Sequence, residues 1–203
     1  MSENKKLKIG ITGGIGSGKT TVCHIFETLG IPIYYADDRA KALMTENAEL
    51  IKNIKSLFGE GAYLPDGTLN RAHIAQIAFH NPLKLNDLNA LVHPAVWLDG
   101  EKWHAAQTNA PYTIKEAALL FESGGNELLD KIITVFAPIE TRIERVLLRG
   151  GGALKRTDVE ARISNQMPDE EKMKQSDFII YNDGSQLLLP QVLAIHQLSL
   201  LLK

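Results

Sequence analysis

The sequence predicts an α/β fold in which helices cover both faces of a five-stranded parallel sheet. Short apolar segments alternate along the chain with segments of helical period, which indicates strands joined by crossover helices. The apolar segments are continuous rather than alternating in polarity, as expected of parallel strands buried on both faces. With 203 residues, of which 44% are hydrophobic and 23% charged, the composition is typical of one compact globular domain.

Strands and helices are predicted from two different patterns. Five brief segments are rich in β-branched or aromatic residues and bounded by turn signals, which predicts strands over 7–12, 31–36, 112–117, 131–136 and 178–181. Helical periodicity predicts helices over 19–28, 37–44, 48–58, 71–79, 82–108, 139–149, 158–166, 169–175 and 185–202. We expect Pro94 to break the longest helix just after His93, because proline lacks an amide hydrogen and restricts the preceding residue.

The distribution of strands predicts how the domain is organised. A core of about 1–36 and 109–203 contains all the predicted strands, and a helical insert of about 37–108 contains none. The insert is expected to form a subdomain of its own.

Charge and apolar patterning exclude several classes of protein. The formal net charge is −2, so no global basic field attracts nucleic acid or an anionic membrane surface, and we expect neither as a partner. No run of about 18 apolar residues is present, which argues against a transmembrane helix. Residues 1–8 are polar and lack the apolar centre of a secretory signal, and the single cysteine, Cys23, forms no internal disulfide. A reducing, cytoplasmic location is therefore expected.

The strongest motif is the glycine-rich segment GGIGSGKT at 13–20, a P-loop that lies between a predicted strand and a predicted helix. Glycines allow consecutive backbone amides to point inward and form an anion-binding nest at the positive end of the helix. Lys19 supplies a mobile ammonium group for the β- and γ-phosphates of a nucleotide, and the Thr20 hydroxyl is placed to coordinate Mg²⁺. A glycine-rich turn without a ligand is the alternative, but motif and context together favour nucleotide binding.

Polar side chains follow three of the predicted strands, at the carboxyl edge where open parallel sheets bind their ligands. Asp37 follows the second strand and is placed to accept a proton from an attacking hydroxyl. Glu122 follows the third and is placed to hold Mg²⁺-bound water or the acceptor, and Asn182 with Asp183 follows the fifth. The alternatives stay open, because Asp37 is also a typical helix N-cap and Glu122 could be a solvated loop residue.

Basic residues surround a run of three glycines at 150–152. The predicted helix before the glycines and the segment after them carry Arg142, Arg145, Arg149, Lys155, Arg156 and Arg162. Guanidinium groups can bind the oxygens of a transferred phosphoryl group bidentately, and a glycine hinge would let them close over ATP and exclude water. We predict a lid over about 149–168, with Arg149 as its main residue; a solvated basic helix is the alternative.

Six pieces of the chain, taken in order, resemble one known family of kinases. They are ITGGIGSGKTT at 11–21, YAD at 35–37, His93-Pro94, LLFE at 119–122, the run from Gln166-Met167-Pro168 through Glu171-Lys172 and Ser176-Asp177, and Asn182-Asp183-Gly184. In residue type, order and spacing, the chain resembles the dephospho-CoA kinase family from its first strand to near its C-terminus. The fold that this resemblance implies is that of a P-loop kinase with a helical substrate-binding insert and a lid.

The resemblance implies ATP-dependent transfer of the γ-phosphoryl group to the ribose 3′-hydroxyl of dephospho-CoA, the last step of coenzyme A synthesis, with Mg²⁺ as cofactor. It implies that Asp37 is the catalytic base and that Lys19 and Arg149 act on the transferred phosphoryl group. The ATP-binding residues it implies are Gly14, Ile15, Gly16, Ser17, Gly18, Lys19, Thr20 and Thr21, with Asn182 near the adenine. The substrate-binding residues it implies are Asp37, His93, Glu122, Arg145 and Arg162.

The sequence departs from the family pattern at three positions. Tyr35 replaces the first acid of the family's D-A-D, Lys41 stands where arginine is usual, and Gly150 replaces the acid that follows the lid arginine. The lid carries about two extra residues, and we expect it to be more mobile than usual.

Some features of the sequence also fit other functions or purely structural roles. Another P-loop kinase, acting on a nucleoside monophosphate or a sugar acid, is the alternative function. A regulatory GTP switch is disfavoured, since neither N-K-x-D nor D-x-x-G occurs in the sequence. His93, before a proline, is equally typical of a structural hydrogen-bonding residue. Packing in the core is the expected role of Cys23, Trp97 and Trp103.

Overall fold

The computed structural model describes residues 6–202, apart from the side chains of Phe79 and Pro82, so most of the predicted polar arm at 1–8 lies outside the described residues. Its sheet consists of β1 (Leu7–Thr12), β2 (Ile33–Tyr35), β3 (Tyr112–Glu116), β4 (Lys131–Phe136) and β5 (Phe178–Tyr181). The strands are all parallel, in the order β2-β3-β1-β4-β5. The predicted five-stranded parallel sheet is therefore confirmed, although β2 is shorter than expected.

Helices occupy the predicted segments with shifts of a few residues at their ends. Over residues 6–202 they are α1 (Lys19–Thr28), α2 (Ala36–Glu46), α3 (Ala48–Phe58), α4 (Arg71–His80), α5 (Pro82–Ala106), α6 (Ile139–Arg149), α7 (Arg156–Ser164), α8 (Asp169–Lys174) and α9 (Leu188–Leu201). Asn47 and Asn70 begin α3 and α4, where their side-chain oxygens accept hydrogen bonds from the amides of Leu50 and His73. None of these helices is both long and apolar enough to cross a bilayer.

Helix α5 corrects one prediction, because it continues through Pro94 instead of ending after His93. Proline inside a helix removes a hydrogen bond and costs about 3 kcal/mol. Leu88, Val92 and Val96 are buried and lie four residues apart, so one apolar face runs across the proline. Burial of each such side chain contributes about 1.5–3 kcal/mol, which together outweighs the cost of the proline.

The main hydrophobic core lies between one face of the sheet and helices α1 and α9. Ile11 of β1 is fully buried and belongs to the same cluster as Phe26 of α1 and Val192 of α9. The segment between β3 and β4 covers the opposite face so closely that a β-carbon at Gly10 would collide with the side chain of Leu120. These contacts position the carboxyl end of β1 and the loop that follows it.

The chain divides into two compact units. The first comprises Met1–Tyr35 with His104–Lys203 and contains the whole sheet, whereas the second is Ala36–Trp103. Within the second unit, Arg39 forms a bidentate ion pair with Asp99, at 3.1 Å from Nε to Oδ2 and 3.2 Å from Nη2 to Oδ1. The Tyr63 hydroxyl donates to the carbonyl of Met44, so long-range polar contacts also stabilise this helical unit.

Candidate active site

The P-loop connects β1 to α1, which is the context that its motif requires. Gly16 and Gly18 have φ angles of 81° and 97°, in the left-handed region that favours glycine. The Ser17 amide donates to the Gly14 carbonyl at 3.1 Å and closes a tight turn. Helix α1 begins at Lys19, and the amides of a first helical turn have no intrahelical partner, so they can bind an anion.

Close packing around the P-loop also leaves no room for a side chain at two of its glycines. A β-carbon at Gly14 would collide with the guanidinium group of Arg142, and one at Gly16 would collide with the Arg142 carbonyl. Arg142 is 4% exposed, and its Nη2 lies 2.9 Å from Oδ2 of Asp169. Arg142 thus packs against the P-loop and supports it. The sequence predicts a different role, in the lid, for the other arginines of the same helix.

Lys19 lies next to a buried carboxylate that the sequence analysis missed. Its Nζ donates to the Gly13 carbonyl at 3.0 Å and lies 3.9 Å from Oε1 of Glu116, and both side chains are about 90% buried. Glu116 ends β3 and pairs in register with Ile11 near the end of β1, directly before the P-loop. The signal in the sequence is an acid near the end of a predicted strand, and local pattern does not distinguish such an acid from an ordinary strand residue.

Asn182, directly after β5, contacts the P-loop. Its side-chain amide donates to the Ser17 carbonyl at 2.8 Å, and its own carbonyl accepts from Nη2 of Arg145 at 3.0 Å. A β-carbon at Gly18 would collide with this amide group. Over residues 6–202, the side-chain atoms Ser17 Oγ, Arg142 Nε and Arg145 Nη1 are buried without a hydrogen-bond partner in the protein.

Glu122 takes part in a network inside the first unit. Its Oε1 accepts from the Met167 amide at 2.7 Å and lies 3.0 Å from Nζ of Lys172, a side chain that is fully buried. Lys172 also donates to the Ala118 carbonyl at 3.3 Å. These contacts give Glu122 a structural role, and its predicted role toward Mg²⁺-bound water or the acceptor stays a prediction.

The basic residues around the glycine run differ in how their charges are compensated. Arg156 binds Glu140 through two nitrogens and Glu160 through a third. In the part of the chain that the structure describes, the exposed side chains of Arg149 and Arg162 make neither a hydrogen bond nor an ion pair. Arg149 and Arg162 are therefore available to a phosphate ligand, whereas Arg156 would first have to leave its carboxylate partners.

Three further site candidates lie at or beyond the end of β2. Asp37 is exposed in the first turn of α2, two residues after that strand, and His93 stacks on Trp97 with ring centroids 6.4 Å apart. Both belong to the second unit, and their predicted roles stay predictions. Tyr35, in the place of the family's first acid, donates to Oε1 of Glu27 at 3.0 Å, and burial followed by this hydrogen bond raises the pKa of its hydroxyl.

Cys23 is fully buried in the main core, as expected from the sequence. Burial is the main cause that raises the pKa of its thiol, and the nearby carboxylates of Glu116 and Glu27 raise it further. The thiol is therefore neutral and unreactive in the folded protein.

A parallel sheet that places a P-loop at the end of its central strand, with a buried acid on the next strand and basic helices beyond, defines the class of P-loop kinases. Comparison with known proteins identifies the group within this class. The family model for dephospho-CoA kinase matches residues 7–187. The chain therefore belongs to the dephospho-CoA kinase family.

Individual relatives agree with this assignment over nearly the whole chain. A dephospho-CoA kinase from Salinibacter ruber is 41% identical over 179 residues, which cover 87% of this chain and 89% of the relative. A solved structure from Thermus thermophilus is 37% identical with a TM-score of 0.81, over 95% of this chain and 97% of that one. The structure of dephospho-CoA kinase from Campylobacter jejuni is 28% identical with a TM-score of 0.68, over 94% and 95% of the two chains.

Proposed function

We propose that this protein transfers the γ-phosphoryl group of ATP to the ribose 3′-hydroxyl of dephospho-CoA, which yields coenzyme A and ADP. The observation that carries the proposal is the P-loop in its strand–loop–helix context, in a chain that belongs to the dephospho-CoA kinase family along 7–187. The P-loop supports ATP as the phosphoryl donor, and membership of the family supports dephospho-CoA as the acceptor. Since Cys23 is a buried free thiol, a reducing cytoplasmic location fits the proposal.

In the proposed reaction, the carboxylate of Asp37 takes the proton of the 3′-hydroxyl while the hydroxyl oxygen attacks the γ-phosphorus. A bond forms between the ribose oxygen and this phosphorus, and the bond from the phosphorus to the β,γ-bridging oxygen breaks. The bridging oxygen leaves with the electron pair as part of ADP. The exposed position of Asp37 in the first turn of α2 supports its role, because a base must reach the acceptor directly.

Lys19 would stabilise the charge that moves during this step. Its flexible ammonium group contacts the carbonyl of Gly13 and lies near Glu116, and it can exchange these acceptors for β- and γ-phosphate oxygens. The loop from Gly14 to Thr21 would bind the phosphates through backbone amides other than those of Ile15 and Ser17, which donate to Gln166 and to the Gly14 carbonyl. Asn182, which donates to the Ser17 carbonyl, would hold the loop in place next to the adenine.

The donor set fits Mg²⁺, a hard cation that prefers oxygen ligands and keeps part of its water shell. Thr20 has an exposed position in the first turn of α1, and Glu116 offers a carboxylate at the end of the neighbouring strand β3. We propose that Thr20 binds the ion and that Glu116 acts through Mg²⁺-bound water. When bound, Mg²⁺ would neutralise charge on the β- and γ-phosphate oxygens.

The lid arginines would act on the transferred phosphoryl group after closure. Arg149 lies at the end of α6 and is followed by Gly150 and then by Gly151 and Gly152, whose φ angles are 56° and 85°. We propose that Arg149 binds the γ-phosphoryl group, and that Arg145 and Arg162 support it. Exclusion of water by the closed lid would suppress hydrolysis of ATP. His93 and Glu122 remain candidates for contacts with the acceptor.

The experiment that tests the function is an assay of ADP release with Mg·ATP and several acceptors in parallel. The acceptors are dephospho-CoA, adenosine, AMP, CMP, shikimate and gluconate, and mass spectrometry identifies the phosphorylated product. Selective conversion of dephospho-CoA to coenzyme A is the expected result. Selective turnover of a monophosphate or a sugar acid would favour the alternative kinase, and ADP release without an acceptor would contradict the role of the lid.

The variant Asp37→Asn tests the assignment of the base. It removes the proton acceptor but keeps the size of the side chain, so we expect kcat to fall by at least about 100-fold while ATP affinity changes little. The neighbouring exposed acid Asp38, which pairs with Lys41, provides the matched control Asp38→Asn. An unchanged kcat in Asp37→Asn would exclude this residue as the base.

A further inference from the structure

We infer that Gln166 is a positioning residue that orients the P-loop through the backbone amide of Ile15 and thereby connects the lid helix α7 to the bound nucleotide. The inference rests on the proposed binding of ATP by the P-loop. Gln166 begins the Gln166-Met167-Pro168 piece of the sequence, to which the mechanism above assigns no role. It lies two residues after the end of α7.

The first observation is a direct hydrogen bond between the two segments. The Ile15 amide donates to Oε1 of Gln166 at 2.9 Å, although 151 positions separate these residues in the chain. The Ile15 side chain packs on the hydrophobic cluster of Val146 in α6 and Val159 in α7. Ile15 of the P-loop is thus held through both its side chain and its backbone amide, and both contacts are with residues of the predicted lid or of helix α6 before it.

The second observation is that Gln166 is itself held in place. Its own amide donates to the Ile163 carbonyl at 3.0 Å, in the last turn of α7. The amide of the next residue, Met167, is bound by Glu122, whose partner Lys172 is fully buried. Hydrogen bonds thus hold the backbone at Gln166 and at Met167, which favours the position of the Gln166 side chain at the Ile15 amide.

The physical consequence concerns the freedom of a glycine-rich loop. Glycines allow the P-loop to wrap around phosphates, but the same freedom raises the entropic cost of ordering the loop when ATP binds. A hydrogen bond to the Ile15 amide fixes the peptide plane between Gly14 and Ile15 before the ligand arrives. Gln166 therefore lowers the cost of binding ATP without touching ATP, and a movement of α7 changes the P-loop directly.

The test uses two variants of the full-length protein that differ in one atom group. Gln166→Met has a side chain of similar length but lacks the acceptor, whereas Gln166→Glu keeps an acceptor oxygen. Exchange of the Ile15 amide with solvent is followed by nitrogen-15 NMR, ATP affinity by calorimetry, and ATP KM and kcat by the assay above. For Gln166→Met we expect faster exchange of the Ile15 amide and a Kd and KM for ATP raised about 3- to 10-fold, with kcat within about two-fold.

Gln166→Glu should retain the slow exchange of the Ile15 amide, which a purely steric role of the side chain would not predict. The matched control is Gln191→Met, because Oε1 of Gln191 accepts from the Tyr181 amide at 2.8 Å. That variant should speed exchange at Tyr181 and leave Ile15 protected. Melting temperatures of all variants report any loss of stability.

Two results would overturn the inference: an Ile15 amide that stays protected in Gln166→Met, or an unprotected amide with unchanged ATP affinity. Loss of Ile15 protection in Gln166→Glu would also overturn the inference. If Gln166→Met does not fold, Gln166→Glu still provides this test. ATP binding by the unmodified protein without turnover of dephospho-CoA would contradict the proposed function alone. Failure of the unmodified protein to bind ATP would contradict both.

Discussion

Lys19 shows how a single side chain depends on its counter-charge. Its ammonium group is about 90% buried and lies 3.9 Å from Glu116, so Glu116→Gln would remove a nearby counter-charge from a buried cation. We expect the free energy of unfolding without ligand to fall by about 1–3 kcal/mol. Because Glu116 is also proposed to act through Mg²⁺-bound water, ATP is added here without Mg²⁺. The phosphates of ATP would replace the lost charge, so the rise in melting temperature on addition of ATP should be larger than in the unmodified protein.

Thermal unfolding with and without ATP measures both effects. The exposed acid Glu127, in the segment between β3 and β4, provides the control Glu127→Gln, which should leave the melting temperature unchanged. Equal melting temperatures for Glu116→Gln and the unmodified protein would show that Lys19 does not depend on this carboxylate.

Arg149 and Arg156 provide a matched pair of lid variants. Arg149 is exposed and makes no hydrogen bond or ion pair over residues 6–202, whereas Arg156 binds Glu140 and Glu160. Arg149→Ala should lower kcat/KM by up to about 10³-fold if its guanidinium group stabilises the transferred charge. Arg156→Ala should change kcat/KM only a few-fold. Steady-state kinetics with dephospho-CoA measure kcat/KM for both variants. Equal losses of kcat/KM would argue against a specific role of Arg149.

At the level of single residues, local pattern predicted side chains whose position follows from the chain next to them. Cys23 lies on the buried face of α1 because its helical spacing puts it there. Local pattern does not show which of Glu116 and Glu122 lies next to Lys19 of the P-loop. Whether an acid meets Lys19 or Lys172 depends on the register between β1 and β3 and on where α8 packs, and neither follows from local sequence.

Helix α8 and the segment after β3 are joined by an ion pair in which the Lys172 side chain is fully buried and the Glu122 side chain is 22% exposed. Lys172 Nζ lies 3.0 Å from Glu122 and has one further acceptor, the Ala118 carbonyl, among the described residues. Glu122→Gln keeps the hydrogen-bonding shape but removes the counter-charge, so we expect the free energy of unfolding to fall by about 1–3 kcal/mol. The double variant Glu122→Gln with Lys172→Met removes both charges and should regain part of the loss.

Urea denaturation measures these free energies. The surface pair of Lys55 and Glu60 is a suitable comparison, because the Glu60 side chain is 83% exposed. Glu60→Gln should change the free energy of unfolding by no more than about 0.5 kcal/mol. Similar losses for Glu60→Gln and Glu122→Gln would contradict the structural importance of the buried pair.

The presence of a helix was more predictable from the sequence than the effect of a proline inside it. Helices such as α1 and α6 begin and end where their periodicity begins and ends. Pro94 was expected to end a helix because the local rule considers only the missing hydrogen bond. The rule omits the energy gained by burying Val92 and Val96 on the same face of α5, which is a property of the folded unit.

The fold of the whole molecule was predictable because its strands are buried and continuous, and because a P-loop requires a strand before it and a helix after it. The order of strands was not predictable in this way. Which strand lies beside β1 depends on crossover connections of very different length, and the one that contains Ala36–Trp103 is far longer than a single helix.

Cys23 offers a probe of the opening of the whole core. The residue is fully buried on the face of α1 that belongs to the main core, and burial with nearby carboxylates raises the pKa of its thiol. The thiolate is the reactive form, so a raised pKa and exclusion of reagent both slow alkylation in the folded state. Unfolding restores an ordinary thiol pKa of about 8.5 and full access.

We therefore expect iodoacetamide to modify Cys23 at least about 100-fold more slowly in the native protein than in concentrated guanidinium chloride. Because α1 carries both Cys23 and Lys19, a detachment of this helix that exposes the thiol would also disturb the P-loop. ATP bound to the P-loop should then slow modification further, in proportion to its stabilisation of the native state. Mass spectrometry follows the reaction over time at a fixed mildly alkaline pH. Modification that is fast in the native protein, or insensitive to saturating ATP, would show that Cys23 is reached by a local movement that leaves the P-loop intact.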